Sequence, residues 1–65
     1  MNYQEALLKQ IRKQISDRLS INDAIATVLQ ISYDAAHRRV SGKSKFSIEE
    51  TVQLANHFTI YANTL

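Results

Sequence analysis

One glycine and no proline in 65 residues leave this chain few of the residues that tight turns and β-hairpins require. Its apolar residues instead recur every three or four positions, which is the spacing of helices that bury one face. There is no Cys to form a disulfide or a thiolate metal site, so a chain this short must rely on close packing or on a partner. We therefore predict an all-α fold, a compact bundle of four to five short helices that forms a single domain over residues 1–65.

The charge of the chain is mildly basic, with eight Lys and Arg against six Asp and Glu and a formal net charge of +2. This charge permits a nucleic-acid partner without requiring one. Charged residues such as Glu5, Lys9 and Arg12 interrupt any signal-peptide core, and no uncharged run reaches the length of a membrane span. We expect a cytoplasmic protein with no membrane partner. Because the chain stops at Leu65 without a polar tail, we also expect it to be the N-terminal part of a longer protein.

Two helices are predicted in the first half of the chain. An apolar stripe indicates an amphipathic helix from residue 3 to about residue 17. A second helix of about nine residues begins near Ile21, with Ser20 or Asn22 as its N-cap. Because so short a helix is not stable alone, its neighbours must hold it in place.

A three-residue break at residues 30–32 separates the second helix from a third. Ser32 is a good N-cap for a helix over residues 33–40, and Gly42 follows where a left-handed helix end favours glycine. Two helices of about nine and about eight residues across such a break have the proportions of a helix-turn-helix. In this motif the first helix braces the second, which protrudes enough to enter a DNA major groove.

The fourth predicted helix has the clearest start signal in the chain. Ser47 and Glu50 have the spacing of a capping box, and the helix ends near Phe58. Residues 61–65 are expected to begin a fifth helix. The predicted core is Leu8, Ile11, Ile15, Leu19, Ile25, Leu29, Ile31, Ala36, Val40, Phe46, Ile48, Val52, Ala55 and Phe58, with Leu54 alongside the stripe of the fourth helix.

Residues 20–65 resemble the lambda-repressor-like, Cro-type helix-turn-helix family, also called the xenobiotic-response-element type. Residues 47–60 are similar to the helix that follows the motif, and residues 33–39 look like the Tyr-Asp-Ala-Ala-x-Arg-Arg segment of some N-terminal regulator domains. The other similar positions are Ile25-Ala26, Leu29, Ile31-Ser32, Ala36, Val40 and Gly42. The resemblance implies the N-terminal domain of a bacterial transcriptional regulator, located with the nucleoid, that binds specific sequences of double-stranded DNA with residues 33–40 in the major groove.

Three positions depart from the family pattern. Gln30 and Thr59 stand where the family often has Gly, and a positive φ at Gln30 would cost about 1 kcal/mol. Arg39 stands where an apolar residue is common. We expect its stem to pack against the core and its guanidinium to pair with Glu49 or Glu50.

The outer side of the third helix supplies the predicted base-facing residues. Tyr33, Asp34, His37 and Arg38 share that side by their spacing of three and four residues. The resemblance implies that this side meets base edges, and the guanidinium of Arg38 is suited to guanine or phosphate. Each residue also has a structural explanation, since Asp34 complements a helix N-terminus and the other three suit a solvated surface.

A basic cluster covers the end of the third helix and the loop after it. Half of the Lys and Arg residues lie between Arg38 and Lys45, with no acid among them, as expected for contacts to DNA phosphates. The resemblance places Asn22, Ser41 and Ser44 at positions that meet the DNA backbone. The predicted phosphate contacts are Asn22, Ser32, Ser41, Lys43, Ser44 and Lys45.

Catalytic and metal-binding patterns are absent from the sequence. His37 and His57 are far apart, no Cys is available, and there is no glycine-rich phosphate loop. We therefore expect neither an enzyme nor a cofactor nor a bound metal. The main alternative to DNA binding is a helical protein-interaction module for dimerisation or antitoxin-like partner binding, with RNA binding as a weaker third. A homodimer on two DNA half-sites is a further expectation.

Overall fold

The computed structural model describes residues 2–15 and 20–59. These residues form four helices and no strand: α1 (Tyr3–Gln14), α2 (Ile21–Leu29), α3 (Tyr33–Val40) and α4 (Ile48–His57). The predicted all-α fold is thereby confirmed. The expected core residue Leu19 and the expected fifth helix at residues 61–65 lie outside the described residues, and the single-domain organisation remains a prediction.

Short polar side chains fix where the helices begin. Asn2 Oδ1 accepts from Glu5 N at 2.8 Å, and Ser32 Oγ accepts from Ala35 N at 3.1 Å. Ser20, rather than Asn22, is the N-cap of α2. The prediction was less accurate at the end of α1, which stops at Gln14 rather than near residue 17, because the next backbone unit is already extended.

The turn between α2 and α3 adopts a left-handed conformation at Gln30, with φ 56° and ψ 45°. Its backbone N–H donates to the carbonyl of Ala26, and the N–H of Ile31 donates to the same oxygen at 3.1 Å. A non-glycine residue in this region costs about 1 kcal/mol, which these two capping hydrogen bonds help to offset. Thr59, after α4, also has a positive φ, 54°.

The end of α3 is a Schellman motif centred on the only glycine. Gly42 has φ +87°, and its N–H donates to the carbonyl of Arg39 at 3.2 Å. The N–H of Lys43 donates to the carbonyl of Arg38 at 2.9 Å, which completes the two-bond pattern. The predicted role of Gly42 in closing the helix is confirmed.

The core lies where α1, α2, α3 and α4 converge, and α2 packs on both α3 and α4. Its four fully buried large side chains are Leu7, Ile11, Ile25 and Leu54. The predicted core residues that are buried are Leu8, Ile11, Ile25, Ala36 and Phe58, while Ile15, Leu29, Ile31, Val40, Phe46 and Ala55 are partly buried against them.

The inner face of α4 differs from the predicted one. Ile48 is 84% exposed and Val52 is 52% exposed, so their assignment to the core was wrong. Ala55 still packs against the core, but the inner face is centred on Glu50, Leu54 and Phe58, which are spaced by four residues. Glu50 points toward Arg39 of α3, so α4 is rotated about its axis relative to the predicted orientation. Ile48 and Val52 therefore lie on its outer side.

Candidate nucleic-acid interface

Helix α3 packs on the core through its inner face, and its outer face is exposed. Ala36 is completely buried, and Val40 packs at the edge of the core. Tyr33, Asp34, His37 and Arg38, the four predicted base-facing residues, are all exposed. The structure therefore brings them together on one accessible side of one helix, which is the arrangement a groove-reading helix needs.

Asp34 and Arg38 form an ion pair one helical turn apart. Arg38 Nη2 lies 3.1 Å from Asp34 Oδ2, and both side chains are largely exposed, at 62% for Arg38 and 74% for Asp34. A pair this exposed adds only a few tenths of a kcal/mol to stability. The guanidinium is therefore oriented by Asp34 but can be redirected to another partner at little cost.

Asn22 connects the start of α2 to the outer face of α3. Its Nδ2 donates to Tyr33 Oη at 3.1 Å and lies 3.2 Å from His37 Nδ1. Its Oδ1 is shielded from solvent and accepts no hydrogen bond from the described residues. The amide thus fixes the two aromatic rings relative to each other, a contact that sequence reasoning did not identify because it joins residues of two different helices.

The remaining predicted phosphate contacts lie on the loop after α3 and at its N-cap. Ser32, Ser41, Lys43 and Lys45 are exposed, whereas Ser44 is partly buried. Ser41 Oγ donates to the carbonyl of Arg38 at 3.2 Å, so its hydroxyl already takes part in ending the helix. Neither Lys43 nor Lys45 forms an ion pair with any described residue. Both ammonium groups are therefore available to an anionic partner.

Arg39 faces the opposite way from Arg38. Its Nε and Nη2 each donate to Glu50 at 3.1 Å, and Nη1 donates to the carbonyl of Ala35 at 2.9 Å. The expectation that Arg39 pairs with Glu49 or Glu50 is confirmed for Glu50. The Arg39 guanidinium lowers the pKa of Glu50; partial burial opposes this shift, and the backbone N–H of Ser47 reinforces it.

Gln4 of α1 holds the loop after α3 in place, a role that was not predicted from the sequence. Its Nε2 donates to the carbonyls of Arg39, at 2.7 Å, and Ser44, at 3.0 Å, and its Oε1 accepts from the N–H of Phe46 at 2.9 Å. These three hydrogen bonds attach the loop after α3 to α1. The amphipathic pattern gave no signal for Gln4, because its side chain binds backbone atoms some 40 positions away rather than other side chains.

Within the described ranges, no group of three or more His, Asp or Glu side chains is placed to hold a metal ion. No helix in the same ranges is both long and apolar enough to cross a membrane.

The family of the chain follows from a comparison with sequence models of protein families. The model of the BetR domain matches residues 2–65. The chain belongs to the BetR domain family. No curated protein and no solved structure matches the chain. The BetR domain is a small helical domain reported in regulators of the helix-turn-helix type, which agrees with the α2–α3 pair and its exposed outer face.

Proposed function

We propose that this BetR domain binds specific sequences of double-stranded DNA as part of a bacterial transcriptional regulator, with α3 in the major groove. The observation that carries the proposal is the outer face of α3, which is exposed and lined by Tyr33, Asp34, His37 and Arg38. An Arg side chain can donate two hydrogen bonds to guanine, and a Tyr ring can pack on a thymine methyl group. A lambda-repressor-like docking, in which α3 lies in the major groove, would place Tyr33 and Asp34 of its first turn and His37 and Arg38 of its last turn against the DNA.

The contacts to the DNA backbone come from both ends of the motif in this proposal. Lys43 and Lys45 neutralise phosphates at the C-terminal end of α3, and Ser32 and Ser44 offer hydroxyl groups nearby. Ser41 contacts a phosphate by giving up its hydrogen bond to the carbonyl of Arg38. Asn22 contributes at the start of α2, near the positive end of that helix's dipole, by exchanging its hydrogen bond to Tyr33 or His37 for one to a phosphate. The domain acts without catalysis or cofactor, in the cytoplasm with the nucleoid. A homodimer would read two half-sites about 34 Å apart.

Salt dependence of binding tests the proposal. Fluorescence anisotropy with random and genomic duplexes should show affinity that falls with salt, with a logarithmic slope of about 0.9 for each phosphate neutralised. The double variant Arg38→Ala/Lys43→Ala should flatten that slope. Gln53→Ala, on an exposed position of α4, is the control and should leave it unchanged. Absence of salt-sensitive binding by the unmodified domain at low ionic strength would contradict the proposal.

A protein-interaction module is the second candidate function, and the exposed Ile48 and Val52 favour it. They are one helical turn apart on α4 and expose apolar side chains to solvent. In this alternative, Ile48→Ser/Val52→Ser would abolish self-association or partner binding measured by sedimentation. The same variant would leave DNA affinity per monomer intact if α3 alone reads DNA.

A further inference from the structure

A groove separates α1 from the C-terminal end of α3, on a part of the domain that the proposed DNA contacts do not use. It has a volume of about 530 Å³, and Leu8 of α1 and Val40 of α3 form the apolar part of its lining. Lys9, Arg12 and Lys13 line the α1 side, and all three are exposed. The groove thus combines an apolar base with a row of cations.

These cations have no counter-charge within the described part of the chain. Arg38 pairs with Asp34 and Arg39 with Glu50, but Lys9, Arg12 and Lys13 form no ion pair there. The pairing is missing even though Glu5 lines the same groove, four residues before Lys9. Their positive charge is therefore left for an external anion.

The groove continues into the region proposed to hold DNA phosphates. A smaller adjoining cavity of about 160 Å³ shares Glu5, Leu8 and Val40 with it and is also lined by Ser41 and Lys45. Val40 lies at the C-terminal end of α3 and lines both cavities, so the groove reaches the end of the helix from which the basic loop begins. A duplex that contacts Lys45 would therefore lie next to the groove that the cations of α1 line.

We propose that Lys9, Arg12 and Lys13 form a second phosphate-contacting surface of this domain, which extends the DNA backbone contact from the loop after α3 onto α1. This inference rests on the proposed function. Phosphate is the partner that fits because the three cations form no ion pair with any described residue, lie along one helix and line a groove that continues toward Lys45. Contacts of this kind add affinity without sequence preference.

Two charge-matched variants test this surface. Lys9→Gln/Arg12→Gln removes two positive charges from α1, and Gln53→Glu/Asn56→Glu lowers the net charge equally on exposed positions of α4. Anisotropy is measured on one duplex between 50 and 200 mM salt. For the α1 variant, the slope of log affinity against log salt should be smaller by about 1.8, so that the fall in affinity over this range becomes about twelve-fold smaller. The α4 variant should keep a slope close to that of the unmodified domain. The loss should be equal on unrelated duplexes.

Charge-conserving and structural controls separate electrostatics from misfolding. Lys9→Arg/Arg12→Lys should keep the original slope, and circular dichroism should show the same helix content in all variants. If the unmodified domain binds with a steep slope and the α1 and α4 variants behave alike, the α1 surface is refuted while the proposed function stands. If the unmodified domain shows no salt-sensitive binding, both are refuted.

Discussion

Arg38 and Arg39 are adjacent on α3 but belong to opposite faces of the domain. The Arg39 side chain is 20% exposed, donates to Glu50 through two nitrogens and reaches the carbonyl of Ala35. The Arg38 side chain is 62% exposed and, among the described residues, pairs only with Asp34, one turn away on the same helix. The inner face of α3 therefore links α3 to α4, whereas the outer face contributes little to the stability of the fold. The same residue type serves stability at one position and leaves its charge available for binding at the next.

Removal of Arg39 should destabilise the domain far more than removal of Arg38. Arg39→Ala leaves the partly buried Glu50 carboxylate without its guanidinium, at a cost of about 2–3 kcal/mol in the free energy of unfolding. Urea denaturation followed by circular dichroism measures this loss. Arg38→Ala is the matched variant and should change the free energy by less than about 0.5 kcal/mol. Equal losses for the two variants would mean that the two faces do not differ as described.

Removal of Arg38 should have the larger effect on DNA binding. If Arg38 reads a base through two hydrogen bonds, Arg38→Ala lowers affinity for the preferred duplex by about tenfold or more and for unrelated duplexes by less. Anisotropy on both kinds of duplex measures the difference. Lys43→Ala, a phosphate variant, should weaken binding to all duplexes equally. If Arg38→Ala lowers the affinity for all duplexes equally, Arg38 contacts a phosphate and not a base.

Acid should weaken the inner face of α3, where Glu50 pairs with Arg39. The pKa of Glu50 lies below its ordinary value of 4.5 because of Arg39, so the pair contributes its full stability above that value. The contribution is lost as the pH falls through the lower pKa of the folded state. This effect should be smaller than that of Arg39→Ala, because protonated Glu50 still accepts hydrogen bonds. Denaturation between pH 5 and pH 2 should show a steeper fall for the unmodified domain than for Glu50→Gln.

The smallest effect on stability is expected for a substitution on the outer side of α4. As on α3, an exposed residue and a buried residue of one helix can be compared. Ile48→Ser should change the free energy of unfolding by less than about 0.5 kcal/mol, because Ile48 is 84% exposed. Leu54→Ala, at a fully buried position of the same helix, should cost about 2–5 kcal/mol. Thermal unfolding compares the two. A large loss for Ile48→Ser would show that a partner or another part of the chain covers this side.

The sequence predicted the helix boundaries well wherever a local signal exists. Ser32, Gly42 and the Ser47–Glu50 capping box act within a few residues, so α3 and the start of α4 have their predicted bounds. Side-chain pairing across the domain was predicted only for Arg39. Gln4 and the Asn22 bridge were missed because their partners are distant in sequence and polar.

The rotation of α4 shows how a long-range contact overrides an apolar pattern. The stripe of Ile48, Val52, Ala55 and Phe58 is a reasonable helical face. The pair between Arg39 and Glu50 selects a different face, with Leu54 and Phe58 inward. The expectation that Arg39 would pair with Glu49 or Glu50 left two orientations of the helix open, since residues 50, 54 and 58 lie on one side of a helix and residue 49 lies on another.

Selection of bound duplexes from a random pool tests most directly whether the outer face of α3 reads DNA. The unmodified domain should enrich one short sequence, and two related half-sites about one helical turn apart would also reveal a dimer. Arg38→Ala should lose the preference at one base position of that sequence, while a folded Arg39→Lys variant should enrich the original sequence. If no sequence is enriched by the unmodified domain, α3 does not read bases and the account is contradicted.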